Sequence, residues 1–370
     1  MAVREERLQI KGFSVEALRA HFAARGFPAY RAEQVAAWLY GRGVEEPAAM
    51  TDLDLAFRRH LEDSWDFSAL QLKTHQLSQD GTQKFGLRAA DGALFEAVLI
   101  PEERRNTLCV STQIGCPLAC AFCATGAMGF LRNLSSAEII DQVCHVQRLL
   151  SPQDKLTNIV FMGMGEPLLN FTALCEAIQL LLHPKAFGFA GRRVTVSTAG
   201  VVTRIAPLLR SVKVNLAVSL HAPRDALRDV LVPLNRRFPL ALLFDSLRRV
   251  PEITARRPVF FEYTLIRDVN DSEADARELI HWVRSLPSKV NLIPMNAHAD
   301  SDYAPSTPER SERFMAVLAT ADVTVTLRKN RGADIDAACG QLAARRTEAG
   351  GRGCVLPQPE QESRHAVCSG

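Results

Sequence analysis

The stretch "GCPLACAFCATG", residues 115–126, sets Cys116, Cys120 and Cys123 within eight positions, and the next cysteine is Cys144. Three thiols so close together can hold a metal ion or an iron–sulfur cluster, so the fold that presents them matters. Just before the stretch runs "TLCVSTQ" (107–113), apolar and β-rich, and after it comes a helical pattern at 135–150. The alternation recurs. "NIVFMG" (158–163), "RVTVST" (193–198), "VNLAVSL" (214–220), "VFFEYTLI" (259–266), "VNLIPMN" (290–296) and "VTVTLRK" (323–329) are separated by helical patterns at 171–182, 201–211, 239–250, 272–286 and 309–320. Repeated strand–helix units predict a parallel sheet. Six or seven units fall short of the eight that close a full barrel, so the expected fold is α/β, a partial (β/α)6-type barrel over residues 106–342.

Upstream, residues 14–26, 31–43 and 51–64 read as short amphipathic helices, "SVEALRAHFAARG" opening on a Ser cap and closing on Gly. They predict a small helical accessory domain over 1–70. Alternating runs follow in "LQLKTHQL", "TQKFGLRA" and "ALFEAVLI", with turn signals at Asp80-Gly81 and Asp91-Gly92, predicting a short β extension over 71–105. Beyond Leu342 the chain turns to Arg, Gly, Pro, Gln and Glu, the composition of a disordered tail over 343–370.

The 370 residues are 47% hydrophobic and 23% charged, enough apolar material for a sizeable core. No apolar run approaches the ~20 residues of a membrane span, and "MAVREERLQIKG" lacks the apolar centre of a signal peptide. The expected location is the cytoplasm, with no membrane partner. Thiols stay reduced there, so nine cysteines suggest a metal site or catalysis before structural disulfides. The net charge of +3 is uninformative about partners, residues 1–90 carrying twelve basic and twelve acidic side chains. Basic clusters at Arg192–Arg193, Arg236–Arg237, Arg256–Arg257 and in "LRKNRG" (327–332) suit phosphates and solvated helix ends equally well.

Chemistry in parallel α/β folds gathers at the carboxyl ends of the strands. There the unusual residues fall: "GCPLACAFC" after the first barrel strand, "GMGEP" after the second, "STAG" at the third, "SLHAP" at the fourth, "MNAH" at the sixth and "RGADIDAACG" after the seventh. Structural zinc wants a fourth ligand from a second CxxC or HxxxH pair, and none is evident, although His145 or Cys144 could be conscripted. A cubane cluster on three cysteines leaves one iron open to a ligand, which makes the missing fourth cysteine the functional feature.

The CxxxCxxC motif followed by a strand ending in "GMGEP" resembles the radical S-adenosylmethionine (SAM) superfamily. The fuller set, "GCPLACAFCATGAMGFLRNLSSAEIIDQV", "VTVSTAGVV", "LAVSLHAP", "VNLIPMN" and "RGADIDAACGQL", is similar to the RlmN/Cfr family of RNA adenine methyltransferases over residues ~75–342. That resemblance implies a [4Fe-4S] cluster on Cys116, Cys120 and Cys123 with its fourth iron open to SAM. It implies a flavodoxin-type electron donor, a monomer, and 23S rRNA and tRNA as substrates, contacted by the N-terminal domain.

The resemblance also implies a mechanism. Carbon 2 of adenine is electron-poor and will not displace the methyl group of SAM, so a radical route is needed. One SAM methylates a cysteine, which by its place in "DAACGQL" is Cys339. A second is cleaved reductively, and the resulting radical takes hydrogen from the S-methyl group, which then adds to the base. The protein–RNA thioether is resolved by loss of a proton, for which Glu96 of "FEAVLIPE" matches the acceptor, and by disulfide formation from Cys109 onto Cys339. Gly165, Glu166, Ser197, Ser219, Leu220, His221 and Asn296 match SAM-binding positions. Without the resemblance each has a plainer reading: Glu96 a solvated strand carboxylate, His221 a loop cap, Ser197 a strand-end hydroxyl, Cys109 a small buried apolar residue, Gly165 a turn. Cys144 and Cys175 lie on apolar helical stripes and read as core, while Cys354 and Cys368 in the tail have no role. Methylation at carbon 8, or a zinc-binding RNA-interaction protein without turnover, are the rival readings.

Overall fold

A computed structural model describes residues 7–151, 154–297, 301–321 and 323–343. All but the first residue of the expected tail lies outside the described residues. Ten strands form one sheet: β1 (Leu70–Leu77), β2 (Gln83–Ala89), β3 (Leu94–Glu102), β4 (Arg105–Cys109), β5 (Asn158–Phe161), β6 (Val194–Thr198), β7 (Asn215–Ser219), β8 (Val259–Leu265), β9 (Ser288–Pro294) and β10 (Thr324–Leu327). Their spatial order follows the chain order from β1 at one edge to β10 at the other. From β4 to β10 all pairings are parallel, which gives the partial barrel. The strands β1 to β3 are antiparallel and are not a separate layer: β3 pairs with β4, so Cys109 lies between Val98 on one side and Val160 on the other.

The barrel strands bury residues on both faces: Ile159, Val196, Leu216, Phe261 and Leu292 share one face and are almost wholly excluded from solvent, while Ala217, Glu262 and Asn291 are buried on the other. Helix Ser136–Leu149 shows how the sequence fixes its crossovers. Ser135 accepts from the Glu138 amide and Glu138 returns to the Ser135 amide, closing a capping box, and Ile139, Ile140, Val143 and Val146 then fall on the buried stripe.

The N-terminal helices are Val15–Ala23, Arg31–Ala36 with a wide turn over Ala37–Gly41, and Leu55–Ser64. The last starts later than its apolar pattern suggests, because the Asp54 side chain takes the cap position and accepts from the Phe57 amide. This domain docks through a buried ion pair. Lys11 and Asp141 have no exposed side-chain surface, and Asp141 Oδ2 also accepts from the amides of Ala69 (2.7 Å) and Leu70 (2.9 Å). One carboxylate on a barrel helix thus ties together the accessory helices and the start of β1. Among the described residues no helix is long and apolar enough to cross a membrane.

Candidate active site

The carboxyl ends of the barrel strands surround a cavity of about 1030 Å³, mouth included. Cys116, Cys120 and Cys123 line it, as do Gly165, Glu166, Ser197, Ser219, His221, Asn296 and Cys339. Leu220 does not. It matched the ligand pattern, but its side chain is fully buried, and its backbone serves instead: its amide donates to Glu262 O and its carbonyl accepts from Arg228. Cys109 and Glu96 also lie outside the lining. Cys109 ends β4 and is buried, and Glu96 sits on β3.

The cysteine loop is shaped by a small hairpin, Gln113–Gly115 against Phe130–Asn133. The Cys116 amide donates to Gly129 O at 2.8 Å. Gly115 (φ +73°) has no room for a side chain, since a Cβ there would lie 1.9 Å from that same Gly129 oxygen. The loop also holds the C-terminal segment: Ala124 N donates to Gly340 O at 2.7 Å, Thr125 Oγ1 to Leu342 O at 2.6 Å, and Asn296 Nδ2 to Cys339 O at 3.1 Å. Cys339 is therefore set deep among the strand ends while the cavity keeps it exposed.

Burial pushes the Cys116 thiol up to about 12, with Cys123 and Glu166 adding repulsion, and raises Cys120 well above the ordinary range. Thiols in such a place become thiolates only when a cation neutralises them, so the donor set fits a bound metal group. Among the described residues no three His, Cys, Asp or Glu side chains are gathered tightly enough to hold a single ion. His145 and Cys144, the spare zinc ligands, are elsewhere: His145 Nε2 faces Leu70 O at 3.1 Å, and Cys144 is buried in the core near Lys11. The cavity also has a free acceptor. Among the described residues Asn296 Oδ1 is buried and has no hydrogen-bond partner, which suits a donor on a ligand.

Glu166 and His221 are committed in part to the protein. Glu166 accepts from Leu168 N (3.0 Å) and Ala199 N (2.7 Å), joining "GMGEP" to "STAG", while burial lifts its carboxyl to about 7. Gly165 (φ +99°) lets this loop touch Gln113, whose Oε1 accepts from the Glu166 amide at 2.8 Å. His221 (φ +58°) accepts from Thr264 N on Nδ1 at 3.0 Å, so its proton is on Nε2. Burial, with the Arg228 charge, holds it neutral by lowering its value to about 3. Phe122, between the last two cysteines of the motif, packs edge-on against His221 with ring centres 4.7 Å apart.

Cys109 and Cys339 are neighbours electrostatically. Burial raises the Cys109 thiol first, and Cys339 raises it further. Burial likewise raises Cys339, partly offset by Arg328. Glu96 is held by Ala343 N on Oε2 (3.1 Å) and by Lys84 at 3.4 Å, with burial raising its carboxyl.

Arg228 was not legible as a site residue. It is wholly buried on the short helix Asp225–Leu231 and donates to Leu220 O (2.9 Å), Ser219 O (3.1 Å), Ala199 O (2.6 Å) and Asn235 Oδ1 (2.9 Å). One guanidinium thus holds "STAG" and "SLHAP" around the cavity. Its only signal was an arginine on the apolar side of a seven-residue pattern.

Residues 110–280 match the radical SAM superfamily, and residues 8–66 match the ribosomal RNA large subunit methyltransferase N-terminal domain. The "Dual-specificity RNA methyltransferase RlmN" of Geobacter sulfurreducens is 47% identical over 90% of this chain and 92% of its own. That of Geotalea uraniireducens is 45% identical over 92% and 98%. A radical SAM methyltransferase from Sphaerobacter thermophilus, a crystal structure, superposes with a TM-score of 0.87 at 42% identity, covering 91% of this chain and all of that one.

Proposed function

The chain belongs to the RlmN family of radical SAM RNA methyltransferases, and from that premise we propose that it methylates carbon 2 of adenine, at adenosine 2503 of 23S rRNA and adenosine 37 of tRNA. The observation that carries this reading is the placing of Cys339 in one cavity with three clustered thiols and Asn296. Cys116, Cys120 and Cys123 would hold a [4Fe-4S] cluster, which when bound supplies the electron for reductive cleavage of SAM. Asn296 Oδ1, the backbone at Gly165, the hydroxyls of Ser197 and Ser219 and the Nε2–H of His221 offer the polar contacts that orient SAM. Phe122 and Met295 exclude water beside them.

Cys339 acts as the nucleophile that accepts a methyl group and then carries it to the base. Its raised thiol keeps it protonated at rest, so displacement needs the proton to leave first. Cys109 is the second thiol: once the adduct has given up its unpaired electron and its carbon-2 proton, the Cys109 sulfur bonds to that of Cys339. The sulfur–carbon bond breaks with its electron pair on the carbon, that carbon takes a proton to become the methyl group, and an external thiol reductant reopens the disulfide. Glu96 takes the carbon-2 proton once the Ala343 amide releases its carboxylate. The accessory domain of 1–70 contacts RNA, the β extension of 71–105 joins it to the core of 106–342, a flavodoxin-type protein delivers electrons, and the enzyme works as a cytoplasmic monomer.

Mass spectrometry of nucleosides from 23S rRNA and tRNA of cells with and without the gene tests this reading. Gene-dependent 2-methyladenosine is expected. Gene-dependent 8-methyladenosine, or no gene-dependent methyladenosine, would overturn it.

A further inference from the structure

Two charged side chains face the cavity without a part in the chemistry above. Glu262 lies mid-strand in β8 and is only 4% exposed. Register sets Asn291 of β9 opposite Glu262, and Thr326 of β10 opposite Asn291. Thr326 Oγ1 donates to Asn291 Oδ1 at 2.6 Å, which fixes the amide so that Asn291 Nδ2 donates to Glu262 Oε1 at 2.8 Å. Among the described residues the other oxygen, Oε2, has no hydrogen-bond partner. Arg328, just past β10, approaches Glu262 only to 3.8 Å, too long for a hydrogen bond, and is half exposed. Both line the cavity beside Cys339, whose thiol feels both charges. A carboxylate buried with an incomplete partner is costly in a purely structural role, and its place in a cavity next to a reactive thiol suits a third group.

We propose that Glu262 and Arg328 together read the Watson–Crick edge of the target adenine, Glu262 accepting from the exocyclic amine and Arg328 donating to N1, a proposal that rests on the carbon-2 reading. Adenine offers there a donor beside an acceptor, and carbon 2 is the next ring atom after N1. A carboxylate beside a guanidinium is the complementary acceptor–donor pair. A base held this way has carbon 2 next to the anchored nitrogen, as attack from Cys339 requires. Guanine presents the reverse order, an oxygen beside an N–H, and meets like groups on both.

The test uses the loaded enzyme and RNA oligonucleotides in which the target adenosine is replaced by purine riboside, lacking the amine, or by 1-deazaadenosine, lacking the acceptor. Wild type should lose roughly 10- to 100-fold in kcat/KM on each, the worth of one specific pair. Glu262→Ala should lose a similar factor on adenosine and become indifferent to the amine. Arg328→Ala should become indifferent to N1. Glu262→Gln keeps its single acceptor oxygen on Asn291 Nδ2 and turns an NH2 towards the base, so it should also lose the preference for the amine while leaving the Asn291 contact intact. Methylation of Cys339 without RNA, read by intact mass at its end point, should still reach one methyl per chain in all three, although its rate shifts with the charge removed beside the thiol. If Glu262→Ala still discriminates the amine as wild type does, or if the end point of its Cys339 methylation falls in step with turnover, the pair does not read the base. A wild-type enzyme that leaves carbon 2 of the adenosine substrate unmethylated would instead defeat the reading on which this proposal rests.

Discussion

His221 carries a measurable pH signature. Its ordinary value is 6.5 and its folded value about 3, so between them only the unfolded chain takes up the proton. Stability is therefore present above 6.5 and drains away as the pH falls, by about 2 kcal/mol on going from about pH 7 to about pH 5. Asn tolerates the positive φ and can accept from Thr264 N, so His221→Asn should flatten this slope in denaturant melts at the two pH values. An unchanged slope would show that His221 does not stay neutral in the fold. Glu166 combines two roles that its motif alone did not separate. Glu166→Ala should weaken SAM binding, and it should also lower stability by about 1–3 kcal/mol, because the buried Ala199 amide loses its acceptor. Calorimetric titration with SAM and a thermal melt measure the two effects independently.

At the scale of elements, the hairpin beneath the cysteines makes the sharpest prediction. In Gly115→Ala the new methyl would collide with Gly129 O, which holds the Cys116 amide. Iron content per chain should fall to a small fraction of wild type while far-UV circular dichroism stays near native; full iron loading would show that the hairpin does not set the ligand geometry. This hairpin was invisible in the sequence because its strands are three and four residues long, too short for any alternation to register. The seven parallel strands were legible because each is a β-rich run bounded by turn residues and all but the last are followed by a helical stripe. The motif loops then fell at the strand ends by topology alone. Glu262 was hidden for the opposite reason: a single charge inside "VFFEYTLI" looks like an exposed edge residue until the register sets Asn291 beside it. Arg228 bonds carbonyls from loops that are distant in sequence, and no local pattern encodes such contacts.

The whole molecule depends on the buried contact between Lys11 and Asp141, which joins the accessory helices, the start of the sheet and a barrel helix. Lys11→Met leaves Asp141 charged and short of a partner and should cost about 3–5 kcal/mol in global unfolding. Denaturant titration measures it, and a change within error would mean that the remaining contacts, such as Arg148 with Glu45 and Gln147 with Tyr40 O, hold the domains without this pair. This joint was not legible, because a lysine near the N-terminus reads as surface until its partner, 130 residues away, is placed beside it. In the mechanism proposed above, Cys339 carries the methyl group into a covalent bond with RNA and Cys109 releases it. The direct measurement is a denaturing gel of Cys109→Ala incubated with RNA, reductant and SAM. A retarded protein–RNA band should accumulate, and adding Cys339→Ala should abolish it. Normal turnover by Cys109→Ala with no trapped species would contradict the claim.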